Sequence, residues 1–161
     1  MFNLKAEFYF KIIFLFSFIA LISAFFIEYV LGHQPCNLCL IERIPYGLSI
    51  VIIMVIFLIK KNQKFLVLLL ILIFIFSFTI SFYHFGIEQS FFQESSVCGV
   101  SSLTESVTKE DLLNQLSEKT VSCRDVTFRI FGLSLTSINI VISLLFIITL
   151  LKIFNNYEKN K

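Results

Sequence analysis

A chain of 161 residues that is 57% hydrophobic and 15% charged, with 21 Phe and no Trp, has more apolar surface than a soluble globule can bury. Its length fits one domain, residues 1–161. The net charge of +2 comes without a basic patch of interleaved aromatics or a Gly-rich phosphate loop, so no nucleic-acid partner and no nucleotide are expected.

The expected fold class is an all-α integral membrane protein. A hydrocarbon core about 30 Å thick needs roughly 20 mostly apolar residues per helix. Segments at about 10–31, 41–59, 65–86 and 131–153 predict a four-transmembrane-helix bundle. Phe65 to Ile87 and Ile130 to Leu151 contain no charge at all. The first segment has the basic start of a secretory signal peptide, but no convincing small-x-small cleavage site follows it. Pro35 precedes a cysteine pair, and Pro45 suits the first turn of the second helix.

Two polar connections, a short one at about 32–40 and a long one at about 87–130, are left between the helices. The long one exceeds a plain connector. Within it, 108–116 reads as a short amphipathic helix. Thr108 caps it, Asp111 stands at its third position, and Leu112, Leu113 and Leu116 share a face. That face rests either on the membrane interface or on the loop itself.

Charge sets the orientation. Eight lysines (5, 11, 60, 61, 64, 152, 159, 161) lie in the tails and the 60–64 turn, whereas the long connection holds seven acids. Lysine and arginine stay on the cytoplasmic side. Both termini are therefore expected in the cytoplasm and both loops outside, where disulfides persist.

All four cysteines fall in those outer loops, as a tight pair, Cys36 and Cys39, and a wide pair, Cys98 and Cys123. A Cys-x-x-Cys pair serves as a redox disulfide, half of a zinc site or a haem attachment. Haem attachment wants His where Leu40 stands. Zinc wants a second close pair, and Cys98 and Cys123 are 25 positions apart. An exchange-prone redox pair is the favoured reading and no metal is expected, with structural disulfides and a metal site as the alternatives.

Position sharpens the reading. Cys39 lies at the start of the second helix, where free N–H groups and the helix dipole favour a thiolate. Arg43 is one turn further on, either an interfacial anchor or the partner of a negative charge on Cys39 or a bound acceptor. Glu42 reads as its balancing charge. At the end of the third segment, Tyr83 fits an interfacial aromatic belt, and His84 could hydrogen-bond an acceptor at membrane depth. His33 reads as a solvated loop residue.

The run Gln34-Pro35-Cys36-Asn37-Leu38-Cys39-Leu40-Ile41-Glu42-Arg43 resembles the signature of the bacterial disulfide bond formation protein B (DsbB) family. The resemblance continues through Tyr83-His84-Phe85-Gly86-Ile87-Glu88-Gln89, Cys98, Cys123, Phe131-Gly132-Leu133-Ser134-Leu135 and Asn139. It implies a multi-pass protein of the bacterial inner membrane, embedded in lipid. Such a protein reoxidises a DsbA-type periplasmic thiol oxidase and passes electrons to membrane quinone (ubiquinone or menaquinone). It further implies that Cys98 meets the partner, Cys123 exchanges with Cys36, and Cys39 meets the quinone beside Arg43 and His84. The resting pairing stays open between 36–39 with 98–123 and a 36–123 intermediate. The rival reading is a non-catalytic four-helix membrane protein with structural loop disulfides. One departure from the family pattern is Phe91-Phe92 in place of its usual Trp and Pro, which puts the loop shape in question.

Overall fold

A computed structural model of the chain describes residues 4–59, 62–94, 98, 122–124, 129–130 and 132–159. The amphipathic helix expected at 108–116 lies outside them. The helices are α1 (Leu4–Tyr29), α2 (Asn37–Leu58), α3 (Gln63–Glu88) and α4 (Leu135–Lys159). Each is long and apolar enough to cross a membrane. They form a four-helix bundle in which α3 packs chiefly on α4, and α2 lies against both α1 and α3.

α1 begins six residues before its expected start, at Leu4, and two other helices begin away from theirs for identifiable reasons. α2 starts four residues early because Cys36 caps it: the Cys36 sulfur accepts the Cys39 N–H at 3.3 Å. Pro45 therefore falls inside α2 instead of in its first turn. Having no N–H, it interrupts the helical ladder there. The last helix starts at Leu135, not near 131, because the preceding residues form an antiparallel hairpin. Its strands are β1 (Arg129–Ile130) and β2 (Leu133–Ser134), with Arg129 opposite Ser134. Gly132, at φ +83°, supplies the left-handed turn between them. Ser134 Oγ then caps α4 by accepting the Ser137 N–H at 3.2 Å.

The bundle is divided along its axis. The half remote from the cysteines is a dry apolar core of Phe10, Ile13, Ile53, Ile56, Leu70, Phe74 and Leu150. Phe74 meets Phe146 edge-on at 5.0 Å. Large apolar side chains such as Phe8, Leu15, Leu72 and Leu145 point outward, as lipid contact demands. Serine pairs mark the middle: Ser49 to Ser17 at 3.0 Å and Ser143 to Ser77 at 3.1 Å. Small hydroxyl residues let helices approach closely and bond across the interface. Beyond them, polar side chains fill the interior up to the cysteine end.

The end of α3 answers the question raised by Phe91-Phe92. Ser90 takes a left-handed conformation (φ +62°). The N–H groups of Phe91 and Phe92 then bond back to the Gly86 carbonyl at 2.8 and 3.1 Å. The Phe92 ring lies over Gly86, where a Cβ would overlap it, and stacks on Tyr83 at 5.8 Å.

Candidate functional site

The N-terminus of α2 brings the tight cysteine pair to the mouth of the bundle. Cys36 Sγ and Cys39 Sγ are 2.7 Å apart, inside van der Waals contact. Cys36 is buried, whereas Cys39 is partly open. The dipole of α2 and the Cys39 N–H act on Cys36, so the cap position belongs to the first cysteine of the pair and not to Cys39 as expected. The hydrogen bond from the Cys39 thiol, followed by the contact with His84, holds the Cys36 thiol down from 9.0 to about 4, against burial that raises it.

Cys98 and Cys123 are disulfide-bonded, with Cα atoms 5.6 Å apart. Together with Cys36, Leu38 and Ile87 they form one buried cluster, with Cys39 packed against it, so both pairs share one end of the bundle. Glu94 fixes the turn that carries Cys123 from both sides. Its Oε1 accepts from Ser122 Oγ and, at 3.1 Å, from the Arg124 N–H.

His84, nearly fully buried, reaches Cys36 and not Cys39. Its Nε2 is 3.6 Å from Cys36 Sγ, and its Nδ1 is 2.9 Å from Glu42 Oε1. Glu42 thus points into the bundle. Its second oxygen accepts from Asn139 Nδ2 at 3.1 Å. Asn139 also donates to Ser81 Oγ at 2.7 Å and accepts from the Tyr46 hydroxyl. Thr136 Oγ1 lies 3.3 Å from His84 Nδ1 and donates to Glu88 Oε1 at 2.7 Å. Glu88 Oε2 is buried with no hydrogen-bond partner among the described residues.

Arg43 does not pair with Glu42. It forms an ion pair with Glu28 of α1 and lies over the Phe25 ring, 5.3 Å from its centroid. Arg43 therefore ties α2 to α1 at the boundary, one turn below Cys39. Sequence reasoning passed over Glu42 as a His84 partner, the buried placement of Glu88, and Glu94 and Thr136. The available signal was a pair of carboxylates inside apolar helices, which membrane helices keep only for a function or a partner.

Cys36, Cys39 and His84 present three donor atoms within 4.8 Å of one another. Two thiolates on one tetrahedral zinc, with Zn–S bonds of about 2.3 Å, would stand about 3.8 Å apart. The 2.7 Å separation fits a pair that closes on itself. For a lipid-soluble acceptor the fit is better. Cys39 is the more open sulfur, and Leu40 and Ile44 beside it are 44% and 53% exposed on the outer face of α2.

Comparison with known proteins agrees with this arrangement. An uncharacterized protein of Rickettsia prowazekii (strain Madrid E) is 27% identical over 147 residues, covering 90% of this chain and 86% of its own length. The family model for disulfide bond formation protein DsbB matches residues 6–153, from the first helix through most of the last. With both cysteine pairs gathered at one end of four membrane-spanning helices, the chain belongs to the DsbB family of disulfide bond formation proteins.

Proposed function

We propose that this protein is a thiol:quinone oxidoreductase that reoxidises a DsbA-type periplasmic thiol oxidase. The observation that carries the reading is the packing of an exchange-ready pair, Cys36 and Cys39, in one buried cluster with the Cys98–Cys123 bridge. Disulfide exchange needs the attacking and attacked sulfurs to meet, and burial together supplies that proximity.

In this reading Cys98 takes the partner's thiolate and Cys123 is released. Cys123 then exchanges with Cys36, and Cys39 faces the membrane. Arg43 would hold the quinone, ubiquinone or menaquinone, near Cys39, and His84 would border the site from the Cys36 side. When bound, the quinone supplies a two-electron oxidant strong enough to regenerate the pair. That drive is needed because the partner couple is already strongly oxidising, at roughly −120 mV. Each 30 mV of mismatch costs about 1.4 kcal/mol for two electrons. The lysine-rich tails and turn support an orientation with both termini in the cytoplasm and the cysteine loops in the periplasm of the bacterial inner membrane.

Stopped-flow mixing of the purified protein with a reduced DsbA-type partner and a soluble quinone analogue tests this. The expected result is partner oxidation with quinone consumed mole for mole, abolished by Cys98→Ser. Partner oxidation that ignores the quinone would refute the electron route. Sulfur bridges that resist a competent dithiol donor would identify them as structural.

A further inference from the structure

The buried groups around Cys36 come from three helices, and together they resemble an acid–base device more than a bare quinone pocket. His84 Nδ1 faces two oxygens, Glu42 Oε1 at 2.9 Å and Thr136 Oγ1 at 3.3 Å. The Thr136 hydroxyl proton is donated to Glu88, so both oxygens accept, and Nδ1 carries the ring proton. Nε2, 3.6 Å from Cys36 Sγ, is left facing the thiol, able to take its proton and then to donate to the thiolate. Asn139 fixes the far oxygen of Glu42 at 3.1 Å, so the carboxylate cannot swing away.

We propose that Cys36, His84 and Glu42 form a thiol–imidazole–carboxylate triad in which His84 Nε2 takes the Cys36 proton when Cys36 attacks and returns it when Cys36 leaves. This rests on the exchange reading above. In the leaving direction, a thiolate attacks Cys123 Sγ of a Cys36–Cys123 bond. A new bond to Cys123 forms, the Cys36–Cys123 bond breaks, and its electron pair stays on Cys36 Sγ. The proton on Nε2 then passes to that sulfur. In the attacking direction the same proton returns to Nε2, and no outside oxidant enters either exchange.

The groups facing this proton are consistent with both directions. From α2 come Cys39 and Glu42. From α3 comes Glu88, whose side chain is 5% exposed and whose Oε1 stands 4.0 Å from Nε2. Among the described residues, α4 contributes the uncharged Thr136 and Asn139, and the loop contributes the Cys98–Cys123 bridge. Arg43 faces Glu28 and leaves the balance unchanged. A doubly protonated imidazole here therefore has a carboxylate near each nitrogen. His84 touches the reacting sulfur, and Glu42 is a positioning residue acting through it.

The test is the pH profile of Cys36 alkylation by iodoacetamide in the reduced full-length chain in detergent. Peptide mass mapping separates Cys36 from Cys39. Glu42→Gln keeps the shape and removes the charge, and His84→Gln removes the base. In each, the acid limb should move up by at least one pH unit, about ten-fold slower alkylation at a fixed pH on that limb. Identical acid limbs in wild type and either folded variant, with folding checked by far-UV circular dichroism, would overturn the triad. No partner or quinone is present, so failure of the oxidase assay does not alter this readout.

Discussion

Replacing Asn139 with Leu keeps the branched shape of a buried side chain (8% exposed) and removes its polar atoms. Four contacts disappear: the bonds to Glu42 at 3.1 Å and Ser81 at 2.7 Å, the bond from Tyr46, and a weak one from Ser143 at 3.5 Å. Interhelical hydrogen bonds in membrane bundles average about 0.6 kcal/mol, so three good ones lost as ordinary pairs cost about 2 kcal/mol. Glu42 and Tyr46 do not become ordinary, because each is buried. A buried donor or acceptor left unpaired costs about 1–3 kcal/mol, and a charged one more. The expected loss is therefore about 2–4 kcal/mol. Ser143→Ala is the calibrating variant. It loses the 3.1 Å bond to Ser77 and the weak contact with Asn139, worth about 1 kcal/mol together. Unfolding in mixed micelles by titration with sodium dodecyl sulfate, followed by circular dichroism, measures both. If Asn139→Leu shifts the midpoint no more than Ser143→Ala does, Asn139 is not the hub of this network.

Three further outcomes follow from the geometry. Cys36 is held at about 4 against 9.0 when free, so the folded, reduced chain binds fewer protons than the unfolded one between those values. Its stability should rise from pH 5 to pH 8 and fall away as pH drops through about 4, a slope that Cys36→Ser should abolish; equal slopes in the two proteins would contradict the depressed thiol. Glu94→Ala removes the acceptor that clamps both sides of Cys123. Reduction of the Cys98–Cys123 bridge by dithiothreitol should then be about ten-fold faster or more, since bonds to a charged acceptor are worth about 1.5–3 kcal/mol; an unchanged time course in an alkylation assay would dismiss the clamp. Gly86→Ala forces the Phe92 ring off Gly86 and Tyr83. It should cost about 1–3 kcal/mol in the same micelle titration, and an unshifted midpoint would show that Phe92 moves freely.

Helix number and the gathering of the cysteines at one end were legible, because hydrocarbon thickness leaves little choice. Boundaries were less so. Cys36 as a helix cap and the hairpin before Leu135 depend on local hydrogen bonds that apolar periodicity does not register. Pairing partners were the least legible. Arg43 and Glu42 are neighbours in sequence, yet they point to different helices, Arg43 to Glu28 of α1 and Glu42 to His84 of α3. Successive residues on a helix are turned about 100° apart. Adjacent opposite charges on a buried helix are therefore poor candidates for each other, and that argument was available from the sequence alone.

The division of the bundle into an apolar half and a polar half follows from what a thiol relay must tolerate. A carboxylate in an apolar interior is retained only with partners. Glu42 has two, His84 and Asn139, while Glu88 has Thr136 on one oxygen and nothing on the other among the described residues. Were these carboxylates structural only, both would be expected to be fully paired, as most buried polar atoms are. The unpaired oxygen instead belongs to the carboxylate that stands 4.0 Å from the nitrogen facing Cys36. That oxygen is Oε2, so the same carboxylate keeps spare acceptor capacity beside an Oε1 already bonded to Thr136. The serine pairs and aromatic core beyond Asn139 pack the rest of the bundle away from the sulfur atoms at its mouth.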